Sequence, residues 1–381
     1  MPSQPSLGTW VAIAVTVILT LGTFIWAARL FRTHRRRRRA GGLDGLRNPA
    51  YIVLALGFFF LGGIVWQLID VFAQPFSFPT PDPGEDETFF YPIAGVVGDP
   101  SEEGGVLFAA QGGLWRVAPG PDDEPASTGA VTPGEPELVM TEQRLLNGLA
   151  QLPDGTILAS GWDEETDAAL GLIQSRDGGA TWSTVSLAGE AVFRALAPAT
   201  VDGRVLYGRQ VLDDNEDMPA GVYRSDDGGR QWEPVSLAGI PEDAVVTGLA
   251  ALGPDQPVVG TDQGLYRSDD AGQTWESVME EVVVTALHHS PAHPGQVLVY
   301  AVGEDNTGGL QLWDAASDTF TPLPLVIPPG DTVMFLGRHP ADENTIFAAT
   351  FLSELWGSFD GGNTWHALLP EGALWGEGLQ L

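Results

Sequence analysis

The octapeptide SRDGGATW at residues 175–182 returns as SDDGGRQW at 225–232, SDDAGQTW at 268–275 and SFDGGNTW at 358–365. The shared frame is S-x-D-x-G-x-x-W. It is held by Ser175, Asp177, Gly179 and Trp182, by Ser225, Asp227, Gly229 and Trp232, by Ser268, Asp270, Gly272 and Trp275, and by Ser358, Asp360, Gly362 and Trp365. Its aspartates are spaced 50, 43 and 90 residues apart, and the last gap is two periods, so one copy has decayed. A fixed period of about 40 to 50 residues, with strand-like runs between turn signals, indicates a propeller or a solenoid. The frame itself has the chemistry of a tight turn between antiparallel strands. Ser and Asp side chains bond to nearby backbone N–H groups, and the glycine three residues before Trp supplies a positive φ. The Trp is expected to open the next strand and bury its ring.

These octapeptides resemble the Asp-box, or BNR, repeat of bacterial sialidases, sortilin-type receptors, xyloglucan-degrading hydrolases and photosystem II assembly factors. In those families the box is the turn between the third and fourth strands of a propeller blade, a folding element that does not catalyse. The resemblance implies the same structural role here.

Whole blades emerge around each box. Upstream of the third lie VVTGLAAL (245–252), PVVGT (257–261) and GLYRS (264–268), followed by the box and WESV. That is four short strands, and the same order surrounds the first two boxes. Shifting this repeat by 45 residues places Leu265 on Leu310 and Trp275 on Phe320, so GLQLWDAASDTF is the decayed copy, with its hydrophobic anchor kept. Residues 333–368 form another blade, and 89–140 form a first one in which GGLWRV takes the place of GLYRS. The expected fold class is all-β, a six-bladed propeller of four-stranded antiparallel blades spanning 89–381, whose closure protects the sheet edges. The tail ALWGEGLQL (373–381) offers an extra inner strand, and a seven-bladed ring with a split blade is the alternative.

The segment ahead of the propeller sets where it works. After a short tail (1–8), residues 9–31 and 50–72 are apolar runs long enough to cross a bilayer, at about 20 residues each. The loop between them (32–49) contains Arg35, Arg36, Arg37, Arg38 and Arg39, and positive charge in a short loop marks the cytoplasmic side. Both ends of this helical hairpin then emerge on the opposite face, so the C-terminal propeller is expected to be extracytoplasmic and the chain a multi-pass protein of the cell membrane. A cleaved signal peptide fits less well, because the basic residues follow the first apolar run. The Arg cluster reads more simply as a topology signal than as a nucleic-acid site. Residues 73–88, QPFSFPTPDPGEDET in their greater part, form a proline-rich acidic spacer.

All 18 basic residues are Arg, and the chain has no Cys, which excludes disulfides, thiolate metal sites and cysteine nucleophiles. From residue 74 onward 10 Arg face 48 acids, a formal charge of −38. Such a domain repels nucleic acid and favours cations or basic partners. The acids are placed unevenly. In propellers of the resembled kind the second-to-third and fourth-to-first strand loops share one face, and the boxes sit at the other. Asp163, Glu164, Glu165 and Asp167, then Asp213, Asp214, Glu216 and Asp217, then Glu304 and Asp305 all fall in second-to-third loops. They are the candidate partner-binding residues. A docking surface for a basic protein and a merely solvated acidic face remain level at this point, while Asp213, Asp214, Asn215 and Asp217 lack the glycine turn and distal Glu of a calcium loop.

Enzymatic alternatives are weaker. A sialidase-like centre needs several Arg to grip a carboxylate, and outside the repeats only Arg144, Arg194, Arg204, Arg209 and Arg338 are available, without the family's arginine motif. No catalytic residue, cofactor or metal ligand is therefore assigned. A cell-surface glycan-binding protein or glycosidase is the alternative function, since two suitably spaced carboxylates would suffice for the latter. His288, His289 and His293, with His339, occupy equivalent first-to-second strand turns, which explains them as repeat positions more simply than as a ligand set. The expected function is a non-catalytic binding or assembly scaffold presented by a membrane anchor.

Overall fold

A computed structural model describes residues 93–369, apart from 103, 111, 119–133, 141, 143, 213, 214, 216 and 304–307. The expected tail, membrane helices, arginine loop and linker, and the segment 373–381, fall outside the described residues. Among the described residues no helix is long and apolar enough to cross a membrane.

The described residues form 24 strands in six antiparallel sheets of four. Each sheet is a meander whose strands bond in chain order. Blade 1 spans 95–138, blade 2 144–186, blade 3 193–234, blade 4 246–280, blade 5 282–322 and blade 6 333–369. The first strands pack side by side in chain order around an axis, and the first strand of blade 6 (Val333–Arg338) meets that of blade 1 (Gly95–Gly98). The ring closes at six. The seven-bladed alternative fails because Val96, Phe108, Phe347, Leu355 and Leu368, from blades 1 and 6, already fill the closing seam.

The core lies between blades. Successive side chains of a strand point to opposite faces of its sheet, so each blade serves two seams. In blade 2, Ile157 and Ala159 pack with Leu107 and Leu114 of blade 1, while Leu158 between them packs with Phe193 and Leu206 of blade 3. A fully buried Leu or Phe contributes about 1.5–3 kcal/mol, so these six seams dominate the stability of the ring.

The repeated octapeptides are the turns between third and fourth strands, built alike. The serine Oγ accepts from the glycine N–H at 2.9, 2.9, 2.9 and 2.8 Å in chain order and donates to Asp Oδ1 at 2.8, 2.9, 2.8 and 2.9 Å. The same Asp Oδ1 accepts from the N–H four residues on, at 2.9 Å in every copy. The Thr181 and Thr274 hydroxyls also donate to the Oδ2 atoms of Asp177 and Asp270, and with the bonds above, these hydroxyls foremost, pull the two carboxyls down to about 2. The glycines have φ of 95°, 83°, 86° and 92°, and a Cβ on Gly179, Gly229 or Gly272 would lie 2.2–2.3 Å from a side chain of the preceding blade. Glycine is thus required twice, by the backbone and by the seam. The Trp rings differ from expectation. Only Trp275 is fully buried. Trp182, Trp232 and Trp365 are half-buried at the seam with the preceding blade, and the fourth strand begins one residue after each.

The decayed copy in blade 5 keeps its anchor. Leu310 and Trp313 are buried, and Phe320 stacks on Trp313 with centroids 5.8 Å apart. Asp314 Oδ1 now closes a shorter turn by accepting from the N–H groups of Ala316 and Ser317.

Candidate functional site

Strand direction sorts every connection to one of two ends. The pairs Leu145 with Trp162, Val246 with Thr261, Val282 with Gly303 and Val333 with Thr350 place the start of each first strand beside the end of the second. The second-to-third loops and fourth-to-first connections therefore share a loop face, and the octapeptides lie on the opposite turn face.

On the loop face of blade 2, Asp163 is committed to its own loop. Its Oδ1 accepts from the Thr166 N–H at 2.8 Å and hydroxyl at 2.7 Å, and these two bonds hold its carboxyl below the usual range. Glu164, Glu165 and Asp167 are exposed on the same loop, Asp167 at a positive φ of 56° with its N–H donating to the Asp163 carbonyl. Blade 3 presents exposed Asp217 in the equivalent loop. There Asn215 donates from Nδ2 to the Glu190 carbonyl, and its Oδ1 accepts from Asp217 and Met218 N–H, so it pins the loop and has no oxygen to spare for a cation. Asp213, Asp214, Glu216, Glu304 and Asp305 lie outside the described residues. Among the described residues no group of three or more His, Cys, Asp or Glu is arranged to hold a metal.

Sequence reasoning missed the apolar component of this face. Among the described residues, exposed large hydrophobic side chains stand at this end just before or within the starts of first strands (Leu145, Val245 and Val283), in the connection between blades 5 and 6 (Val326) and in the second-to-third loop of blade 6 (Phe351 and Leu352). Val326 is 79% exposed and Phe351 54%. Phe351 and Leu352 are held on a fixed loop: their N–H groups donate to the Thr332 carbonyl at 2.8 Å and Asp331 Oδ1 at 3.0 Å, and the next residue, Ser353, is buried with Oγ accepting from Ile93 N–H. The signal was in the runs that open first strands, such as VVVT at 282–285, where apolar residues begin before the alternation sets in.

An axial cavity of about 90 Å³ runs between the six first strands. Its lining includes Gln151, Arg194, Thr247, Thr285, His288 and His289 and, among the described residues, no carboxylate. Arg194 is exposed near the loop-face end, and on the adjacent strand burial, with Arg194 beside it, pulls Arg209 below its ordinary value. The other arginines weighed for a catalytic grip are dispersed: Arg144 pairs with Glu142, Arg204 donates to the Asp226 carbonyl, and Arg338 lies near the turn face. Tyr207 and Tyr300 are buried as packed aromatics, and Tyr207, bonded to the Pro254 carbonyl, is pushed up to about 12 by burial.

No protein-family model and no curated protein matches the chain. Solved structures similar to it include a GH74 enzyme of Niastella koreensis (15% identity, TM-score 0.43, 74% of this chain and 45% of that one) and a GH74 xyloglucanase of Xanthomonas campestris (20%, 0.43, 75% and 46%). YCF48 bound to a D1 peptide is a third (17% identity, TM-score 0.39, 74% of this chain and 81% of that one). The chain thus spans under half the length of the two GH74 proteins.

Proposed function

We propose that the chain is a propeller of the Asp-box type, held at the extracytoplasmic side of a cell membrane by residues 9–72, and that its loop face is a non-catalytic docking surface for a protein partner. The carrying observation is the company of exposed apolar side chains and acidic loops on one face. Stable interfaces pair an apolar centre with a polar rim, and contiguous exposed apolar surface marks interaction sites. Phe351, Leu352 and Val326, on and beside blade 6, supply apolar groups, while Glu164, Glu165 and Asp167 on blade 2 and Asp217 on blade 3 supply acids on the same face that favour a partner with basic groups. A rigid scaffold presenting functional loops fits the same role. The axial cavity weighs against glycoside hydrolysis there, because that reaction needs two carboxylates about 5–10 Å apart and none of the described residues lining it is one.

Affinity capture of the full-length chain from its native membranes, beside a Phe351→Asp, Val326→Asp variant, tests this. Loss of a central anchor costs about 2 kcal/mol or more, so the variant should retain about thirtyfold less of a stoichiometric partner with an unchanged unfolding midpoint. Equal recovery by both proteins, or no partner together with turnover of a glycoside panel, overturns it.

A further inference from the structure

The seam between blades 5 and 6, near the turn face, concentrates buried polar atoms that bond to nothing. The first strand of blade 5 (Val282–His288) and the turn after it carry His288, His289 and His293, and the adjacent first strand of blade 6 ends in Arg338. His289 and Arg338 are 7% and 8% exposed. Arg338 Nη1 donates to Gln296 Oε1 at 3.1 Å, but its Nε, His288 Nε2, both ring nitrogens of His289 and His293 Nδ1 have no partner. These are five of the eight unpartnered buried side-chain atoms among the described residues. Buried polar atoms are nearly always satisfied, so such a cluster marks where a group from outside completes the bonding.

We propose that this seam binds a single small carboxylate, with Arg338 as its charge partner and His289, His288 and His293 as neutral hydrogen-bond donors. A guanidinium keeps its proton and presents a planar fork that matches a carboxylate, which also makes the seam unfit for a metal cation. Despite 48 acids beyond residue 74, no described carboxylate forms an ion pair with Arg338. Burial foremost, then the Arg338 charge, holds His288 at about 3 and His289 at about 4, so both are neutral at pH 7 and each offers one N–H. The charged groups facing the seam from blade 6 are Glu343, which acts on Arg338 and His293, and Asp342, which is engaged by Thr345 and the Asn344 N–H. One cation with two acids at its rim has no charge to spare for a dianion such as phosphate. His288 and His289 also line the axial cavity, whereas Arg338 and His293 stand off it in the seam. The site is at the far end from the docking surface and stands independently of it.

The test is the thermal unfolding midpoint of the purified full-length chain at pH 7.5 and constant ionic strength, titrated with sodium acetate, chloride or phosphate. Acetate should raise the midpoint saturably, and chloride and phosphate should not. Arg338→Gln should abolish the acetate shift, and His293→Gln, at a half-buried position, should weaken it by about tenfold. A tripeptide with a free C-terminal carboxylate, compared with its amide, separates the sources: a shift with acetate alone assigns a free small acid, and a shift with the free tripeptide too assigns a chain terminus. If water alone fills the seam, acetate gives no more than chloride and the proposal fails. It fails equally if phosphate matches acetate, or if the variant that folds, Arg338→Gln or His293→Gln, keeps the full shift.

Discussion

Acidification from pH 7.5 to 5 is expected to destabilise the propeller through two imidazoles. His288 and His289 are pulled from 6.5 to about 3 and about 4 by burial and the Arg338 charge. In the unfolded chain both bind a proton as the pH falls below 6.5, whereas the folded chain keeps them neutral, so the stability they contribute is intact above pH 6.5 and lost as the pH falls toward their folded values. At pH 5 the gap is about 1.5 pH units per residue, or about 2 kcal/mol each and about 4 kcal/mol together. Against a whole-domain stability of about 5–15 kcal/mol, that loss is large. Asp177 and Asp270, held near 2, lose their contribution only below the ordinary 3.8 of an aspartate, outside this window. Relief of repulsion among the acids acts in the opposite sense, so the reference is a His288→Gln, His289→Gln variant. Urea titrations followed by Trp fluorescence at pH 7.5, 6.5, 5.5 and 5.0, in carboxylate-free amine buffer, give the difference. The wild type should lose about 4 kcal/mol more than the variant between the end points. Parallel profiles would refute the reasoning, for they would mean that both rings ionise in place with water around them.

Two substitutions probe the repeated turns. Ala271 has φ 61° where the other copies carry Gly178, Gly228 and Gly361, so Ala271→Gly should raise stability to urea by up to about 1 kcal/mol, the relieved strain exceeding the added unfolded-state entropy. Gly229→Ala should cost about 2–4 kcal/mol by the same measurement, since its φ is 83° and the new Cβ would lie 2.2 Å from Leu172 Cδ2 of blade 2. Gly295→Ala, at a similar φ of 80° but with nothing within 4 Å, should cost only about 1–2 kcal/mol, which separates backbone strain from the seam contact.

The blades were legible in the sequence because the turn chemistry recurs at full strength in four copies, and because Leu310 and Phe320 of the decayed copy kept the positions of Leu265 and Trp275. Burial of the Trp rings was less so, since each ring's cover comes from the preceding blade and not from its own turn. Among the described residues Asp163, Glu164, Glu165, Asp167 and Asp217 lie in second-to-third loops, where counting strands places them. Composition could not show that Asp163 is consumed by Thr166, or Asn215 by its loop, because an acid or amide that bonds its own backbone looks like any other. The apolar patch was hidden for a related reason. Val245 and Val283 sit in runs that read as core, and only the three-dimensional ends of the strands reveal that they overshoot it. Arg338 and His289 stand one repeat apart and share a seam only because blades 5 and 6 are neighbours.

Docking through the loop face is tested most directly by photocrosslinking in intact membranes. A photoreactive phenylalanine analogue replaces Phe351 on the loop face or Val201 in the turn between the first two strands of blade 3, both exposed and at opposite ends of the ring. A discrete crosslinked partner from position 351, with none from position 201, is the predicted result. Crosslinks from 201 alone, or none from 351 in a chain that unfolds at the normal midpoint, would contradict it.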